Sequence, residues 1–212
     1  MIATLYFLCL VLNLLAHLLG FSTLTIVSKV LLMPFLFGYA QMNWPKHYWL
    51  ISALFFSWLG DLFLLGSGQR FFILGLASFL IAHLMYLKIL TKRLQINWLK
   101  SLLCIAYAGL FLKFYLLHHL PADLKIPVMV YISVIILMAI AAVNQKEAHE
   151  KHNLYVAIGA VLFVLSDSII AVNTFVEPIK EAGFWVMLTY GLAQFLLIHG
   201  ITKKRPLNER SL

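Results

Sequence analysis

Beyond its first residue the chain is a succession of apolar runs, each about twenty residues long and separated by short polar breaks. A run of that length satisfies its own backbone as a helix and matches the thickness of bilayer hydrocarbon. The runs predict eight spans, near residues 2–20, 24–41, 47–66, 70–91, 98–117, 124–143, 153–173 and 182–201. The breaks carry ordinary loop signals: Asn43-Trp44-Pro45, Gly66-Ser67-Gly68, Leu120-Pro121, and polar stretches at 91–93 and 145–152. With 63% hydrophobic and only 11% charged residues, 212 residues cannot give a soluble domain its water-facing surface. The expectation is an all-α membrane protein: one domain of eight transmembrane helices over 1–212, ending in a short basic cytoplasmic tail at 202–212.

The first run lacks the basic leader and small-residue cleavage site of a signal peptide, and reads as the first span. A net charge of +8 does not point to nucleic acid, because the basic residues sit in short loops, where they meet anionic lipid headgroups. Eleven of them follow even-numbered spans: Lys46, Lys88, Lys92, Arg93, Lys100, Lys146, Lys151, Lys203, Lys204, Arg205 and Arg210. Four (Arg70, Lys113, Lys125 and Lys180) lie on the other side. Both termini are therefore expected on the cytoplasmic face of a bacterial inner membrane, with membrane lipids as the surrounding partner. Cys9 and Cys104 fall inside spans and read as packing residues, neither a disulfide nor a metal pair. Nothing in the sequence speaks to oligomeric state.

Two spans each contain one acid: Asp61 in "FFSWLGDLFLLG" and Asp167 in "AVLFVLSDSIIAV". Lys29, in "STLTIVSKVLLMPFLF", is the one basic residue well inside a span. A charge at membrane depth costs roughly 2.5–3.5 kcal/mol and normally faces a polar cavity. One Asp–Lys pair could be a structural pin, but two acids and one base leave a carboxyl over. Desolvation and like-charge repulsion then favour one protonated acid beside an ionised one, the arrangement that acid–base hydrolysis uses. Asp61, flanked by Gly60 and Leu62, is the drier and the expected acid; Asp167, between Ser166 and Ser168, has donors to hold it ionised.

The acids lie 106 residues apart, half the chain, each late in the third span of a four-span half. This predicts two parallel four-helix repeats, 1–97 and 98–201, around a central polar cavity, with His83 of "LIAHLMYL" opposite Gln194 of "YGLAQFLL". Chance likeness is the alternative. His83 and Tyr86 share one helix face, as do Tyr190 and Gln194; Tyr131, Ser166, Ser168 and Asn173 are further candidates for the cavity wall. Singly, each reads as a buried side chain bonding a helix carbonyl. His17 and His199, near span ends, read as interfacial or packing residues. No G-x-S-x-G, H-E-x-x-H, P-loop or G-x-G-x-x-G is present, and "EAHEKH" at 147–152 has the wrong spacing for a zinc helix.

Five stretches in order carry a resemblance to a known family: "SKVLLMPFL", "GDLFLL", "FILGLASFLIAHLMY", "LFVLSDSIIAVNTF" and "YGLAQFLLI". Across essentially its whole length the chain resembles the YhhN-like lysoplasmalogenases, membrane proteins of eight predicted spans. It departs at Val30, where the family commonly has Pro after the Lys. The resemblance implies hydrolysis of the vinyl ether bond of a lysoplasmalogen, giving a fatty aldehyde and glycerophosphoethanolamine or glycerophosphocholine, with no cofactor. It makes Asp61 and Asp167 the expected catalytic pair. Lys29 and His83 would hold the phosphate or tune the pair. Tyr86, Tyr131, Asn173, Tyr190 and Gln194, with Ser166 and Ser168, would line the substrate. The residues by themselves equally allow a proton-coupled transporter of a small solute or lipid, or a bundle whose acids only lock helices.

Overall fold

Backbone groups in hydrocarbon have no water to bond, so each apolar run closes on itself as a helix. The computed structural model describes residues 1–45, 47–146 and 150–203. Lys46, the 147–149 part of "EAHEKH" and the tail residues 204–212 lie outside the described residues. Among the described residues there are eight α-helices and no strand: α1 (Ile2–Leu19), α2 (Ser22–Asn43), α3 (Tyr48–Phe63), α4 (Gln69–Leu90), α5 (Trp98–Phe111), α6 (Ala122–Val143), α7 (Glu150–Phe175) and α8 (Ala182–Lys203). A π-helical turn, Leu112–Leu116, extends α5.

Seven of these helices, α5 counted with its π turn, are long and apolar enough to cross a membrane, which makes this an integral membrane protein. The eighth is shorter than predicted: in place of 47–66, α3 has 16 residues, about 24 Å of helix against roughly 30 Å of hydrocarbon. It stops at Phe63 because a glycine turn follows, with Gly68 at φ 93, a backbone setting open to glycine and strained for other residues.

Seven helices form a closed circuit in the order α1, α2, α3, α4, α6, α7, α8 and back to α1, with α2 also touching α8. α5 stands outside this ring, packed mainly on α6, and Ser101 is its one buried residue. Its outer face exposes Leu99, Leu102, Leu103 and Leu110, as a lipid-facing surface does. The tightest seam is α7 on α8. A side chain on Gly159 would meet the backbone nitrogen of Leu197 at 2.8 Å, and one on Gly200 would meet the His152 carbonyl at 2.9 Å. Small residues let the backbones approach where no hydrophobic effect drives helices together.

One proline sets the register that the site depends on. Pro34 lies inside α2 and has no N–H, so the carbonyl of Val30 loses its helical partner. The indole nitrogen of Trp58 on α3 donates to that carbonyl at 3.0 Å. Val30 follows Lys29 directly, and Trp58 lies one helical turn before Asp61. The same bond therefore faces the two charges toward each other.

Gly159→Val should overpack the α7–α8 seam by about 1–3 kcal/mol, lowering the unfolding midpoint in detergent, whereas Gly109→Ala, where nothing lies within 4 Å, should leave it unchanged or raise it.

Candidate active site

Lys29 and Asp61 meet as expected: Nζ lies 3.7 Å from Oδ1, with both side chains largely buried. The other oxygen, Oδ2, accepts from the Tyr190 hydroxyl at 2.7 Å. Gln194 Nε2 donates to that tyrosine at 3.4 Å, and its Oε1 accepts from the Tyr86 hydroxyl at 2.7 Å. Lys29, Asp61, Tyr190, Gln194 and Tyr86 thus form one polar chain through α2, α3, α8 and α4. Gly60 lets the Phe79 ring lie where a side chain at that position would sit, 2.6 Å from the position of an added Cβ, which seals the chain from one side.

Asp167 belongs to a second network. Tyr131 on α6 donates to its Oδ2 in a short hydrogen bond, and His83 Nε2 on α4 lies 3.0 Å from the tyrosine oxygen and 3.8 Å from the same carboxylate oxygen. The Tyr131 proton is committed to Asp167, so His83 Nε2 is the donor to Tyr131. Phe79 and Phe163 stand between the networks. Phe163 packs edge-on against Tyr190 at 5.4 Å and against His83 at 4.6 Å. The central cavity is accordingly split by aromatic rings into two clusters, and His83 and Gln194 serve different ones.

The two acids also differ in access. Asp61 is 3% exposed and walls neither the cleft that Asp167 faces nor the vestibule beside it. Asp167, with a side chain 18% exposed, is presented into an apolar cleft between α4, α5, α6 and α7, walled by Phe72, Leu76, Phe79, Phe111, Ile135 and Val164. A polar vestibule at the 64–69, 121 and 182–183 turns meets this cleft, with Lys29, Gln69 and Asn173 in its wall. Leu64, Phe72, Ile170 and Phe175 belong to both and form an apolar collar between them.

The serine expectation is corrected. Ser166 Oγ donates to the Val186 carbonyl at 3.3 Å, away from the cleft, and Ser168 Oγ donates to the Val164 carbonyl at 2.8 Å. In hydrocarbon a serine hydroxyl satisfies itself on the nearest carbonyl, so the flanking serines are not donors to Asp167. Asn173 ties down the α7–α8 loop through Oδ1, which accepts from Ile179 N at 2.9 Å, while lining the vestibule. His17 packs on Gly183, and His199 Nδ1 pairs with the Tyr39 hydroxyl at 2.6 Å, both structural as read. The sequence reading missed Tyr107, whose hydroxyl lies 2.8 Å from Ser168 Oγ, and the dividing rings of Phe79 and Phe163. An aromatic among apolar residues carries no signal of its own. Among the described residues, no three His, Cys, Asp or Glu side chains gather to hold a metal.

Fold and site together define a polytopic helical membrane protein with a carboxyl set in an apolar cleft beside a vestibule that has a lysine in its wall. The chain belongs to the YhhN family, whose model matches residues 24–201. It is 28% identical over 209 residues to Lysoplasmalogenase TMEM86A of Bos taurus, covering 96% of this chain and 78% of that one. It is 33% identical over 161 residues to Lysoplasmalogenase TMEM86B of Homo sapiens, covering 76% of this chain and 63% of that protein. To the Lysoplasmalogenase of Mycobacterium tuberculosis it is 31% identical over 162 residues, 72% of this chain and 59% of the relative's length. No solved structure matches the fold.

Lys29→Met should destabilise by about 3–5 kcal/mol, because it strands a buried carboxylate, and Lys29→Met with Asp61→Leu should recover most of that loss. Thermal unfolding of the two variants in one detergent measures both.

Proposed function

We propose that this protein is a lysoplasmalogenase: it hydrolyses the alkenyl ether bond of a single-chain ether phospholipid, releasing a fatty aldehyde and glycerophosphoethanolamine or glycerophosphocholine. The observation that carries this reading is Asp167. It is a carboxyl presented to an otherwise apolar cleft, a few residues from a vestibule whose wall contains a lysine. An amphiphile with one chain, a short polar linker and a phosphate fits that succession. The relatives' names supply the bond that is cut.

Asp167 is the proton donor in this mechanism. Its protonated carboxyl adds H⁺ to the β-carbon of the vinyl ether, leaving an oxocarbenium ion at the α-carbon. The carboxylate so formed then takes a proton from a water that adds to that carbon, which restores the acid and gives a hemiacetal. Collapse of the hemiacetal moves its hydroxyl proton to the glycerol oxygen, breaks the C–O bond and frees the aldehyde. Tyr131, positioned by His83, fixes the carboxyl through Oδ2 and leaves Oδ1 for the substrate. Asp61 acts at one remove. Ionised between Lys29 and Tyr190, it fixes the ammonium at the vestibule, where the lysine meets the phosphate. This reverses the roles expected from flanking residues, because access to the cleft decides which acid reaches substrate.

The basic-loop bias supports cytoplasmic termini, and with them a vestibule opening on the opposite face. The crossed pairing supports two related halves, 1–97 and 98–201: Asp61 is held by Tyr190 of the second half, and Asp167 is approached by His83 of the first.

On lysoplasmenylethanolamine, Asp167→Asn should lower kcat by about 10²–10⁴-fold, Tyr131→Phe by less, and Lys29→Met should chiefly raise KM. Aldehyde release from purified, folded variants reads all three. Wild-type turnover by Asp167→Asn rules the mechanism out, and an unmodified protein that releases no aldehyde rules out the activity.

A further inference from the structure

The cleft is too shallow below Asp167 for the chain that the reaction requires. Its inner end is formed by Phe79, Tyr107, Ala108, Ile135, Ile136 and Val164. Along α7 the floor at Val164 is three residues from Asp167, and along α6 Ile136 is five from Tyr131, so about 5–8 Å remains at 1.5 Å per residue. A lipid chain spans half the hydrocarbon core, about 15 Å. With the phosphate in the vestibule and the ether at Asp167, most of the chain has to leave sideways.

One wall can yield to it. α5 stands outside the helix ring, exposes its outer face to lipid and lends Tyr107, Ala108 and Phe111 to the cleft. Across the seam, one residue from Asp167, the Tyr107 hydroxyl pairs with Ser168 Oγ at 2.8 Å, and Tyr107 is 41% exposed on the membrane side. The helix is weakened at this level. Gly109, with open space around it, lowers helix stability, and the π-helical turn Leu112–Leu116 follows within one turn. A shallow groove continues on the outside of the same segment along Tyr107, Leu110, Phe114 and Tyr115.

We infer that the α5–α7 seam, closed by the Tyr107–Ser168 hydrogen bond, is the lateral port by which the alkyl chain of a single-chain lipid enters from the bilayer and rests during reaction. The inference rests on the proposed hydrolysis for its ligand. In the closed structure the Tyr107 hydroxyl donates to Ser168 Oγ, whose own proton goes to the Val164 carbonyl, so both hydroxyls are satisfied in hydrocarbon. The entering chain displaces the tyrosine ring outward along the groove and lies over Ala108 and Phe111. Phosphate and glycerol need no such passage, because the vestibule is open.

The test separates chain entry from chemistry. In a background with Cys9 and Cys104 replaced by Ala, Tyr107→Cys and Ser168→Cys are bridged by a short reducible bis-thiol linker. Turnover of a sixteen-carbon alkenyl lysolipid and of its four-carbon analogue is compared before and after bridging. The ratio of long-chain to short-chain turnover should fall at least tenfold on bridging and recover on reduction. An unchanged ratio, or equal loss of both activities, overturns the port. If the unbridged protein cleaves neither substrate, the hydrolysis has failed and labelling decides the port. A lysolipid with a mid-chain diazirine should mark residues around 107–111 of α5 in the native chain, and labelling confined to other helices overturns it. Tyr107→Phe, which removes only the latch hydroxyl, should lower KM for the long-chain substrate two- to fivefold; a raised KM counts against the latch.

Discussion

A carboxylate surrounded by hydrocarbon has to be neutralised, and at Asp61 that requirement organises several helices at once. The ammonium comes from Lys29 on α2, the second donor from Tyr190 on α8, and the support for that donor from Gln194 and Tyr86. Asp61, Tyr190, Gln194 and Tyr86 are all buried, so loss of one leaves its neighbour unsatisfied. The pair also depends on a backbone defect. Pro34 opens the Val30 carbonyl, and Trp58 closes it from α3, which brings Lys29 and Asp61 into register. The absence of Pro at position 30 itself is consistent with this arrangement, because the chain still carries its break one turn later.

Such a network is well suited to hold charge and poorly suited to touch substrate. Asp61 is enclosed by its partners and by the Phe79 ring packed on Gly60. Asp167 has fewer partners, all on one side: Tyr131 directly and His83 behind it. Its open side is the cleft. The two acids therefore divide the work expected of a pair, one setting the field and the cationic vestibule, the other facing the reacting bond. Phe79 and Phe163 keep the networks apart, so a hydrogen bond lost in one is not simply replaced from the other.

What could be read from the sequence follows this division. Seven long helices were legible because hydrocarbon length is written directly as apolar run length, and α3 was drawn too long because apolar residues continue past Phe63 into a glycine turn. Lys29, Asp61 and Asp167 were legible because a charge in such a run has no bland explanation. The two-cluster arrangement was not. Tyr131 and Tyr190 looked alike in sequence, and only packing shows that each serves a different acid. Ser166 and Ser168 looked like donors to Asp167 by adjacency, yet neighbours in a helix point about 100° apart and a free hydroxyl turns to its own backbone. Trp58 and Tyr107 gave no signal, since their roles depend on a carbonyl and a hydroxyl supplied by other helices.

The place of α5 follows from the same physics. α2, α3, α4, α6, α7 and α8 carry the two polar networks or the close-packed α7–α8 seam, and α1 is tied to α8 by the Tyr6 hydroxyl donating to the Gly191 carbonyl at 2.8 Å. α5 carries no charge at membrane depth, and its polar contact with α7 is one hydroxyl pair: Ser168 already donates to the Val164 carbonyl and stays satisfied without Tyr107, and Tyr107 can turn to the substrate. It is the one wall of the cleft whose displacement leaves no buried ion unpaired. A membrane protein that must admit a hydrocarbon chain to a carboxyl without disturbing the ion pair beside it can yield only there.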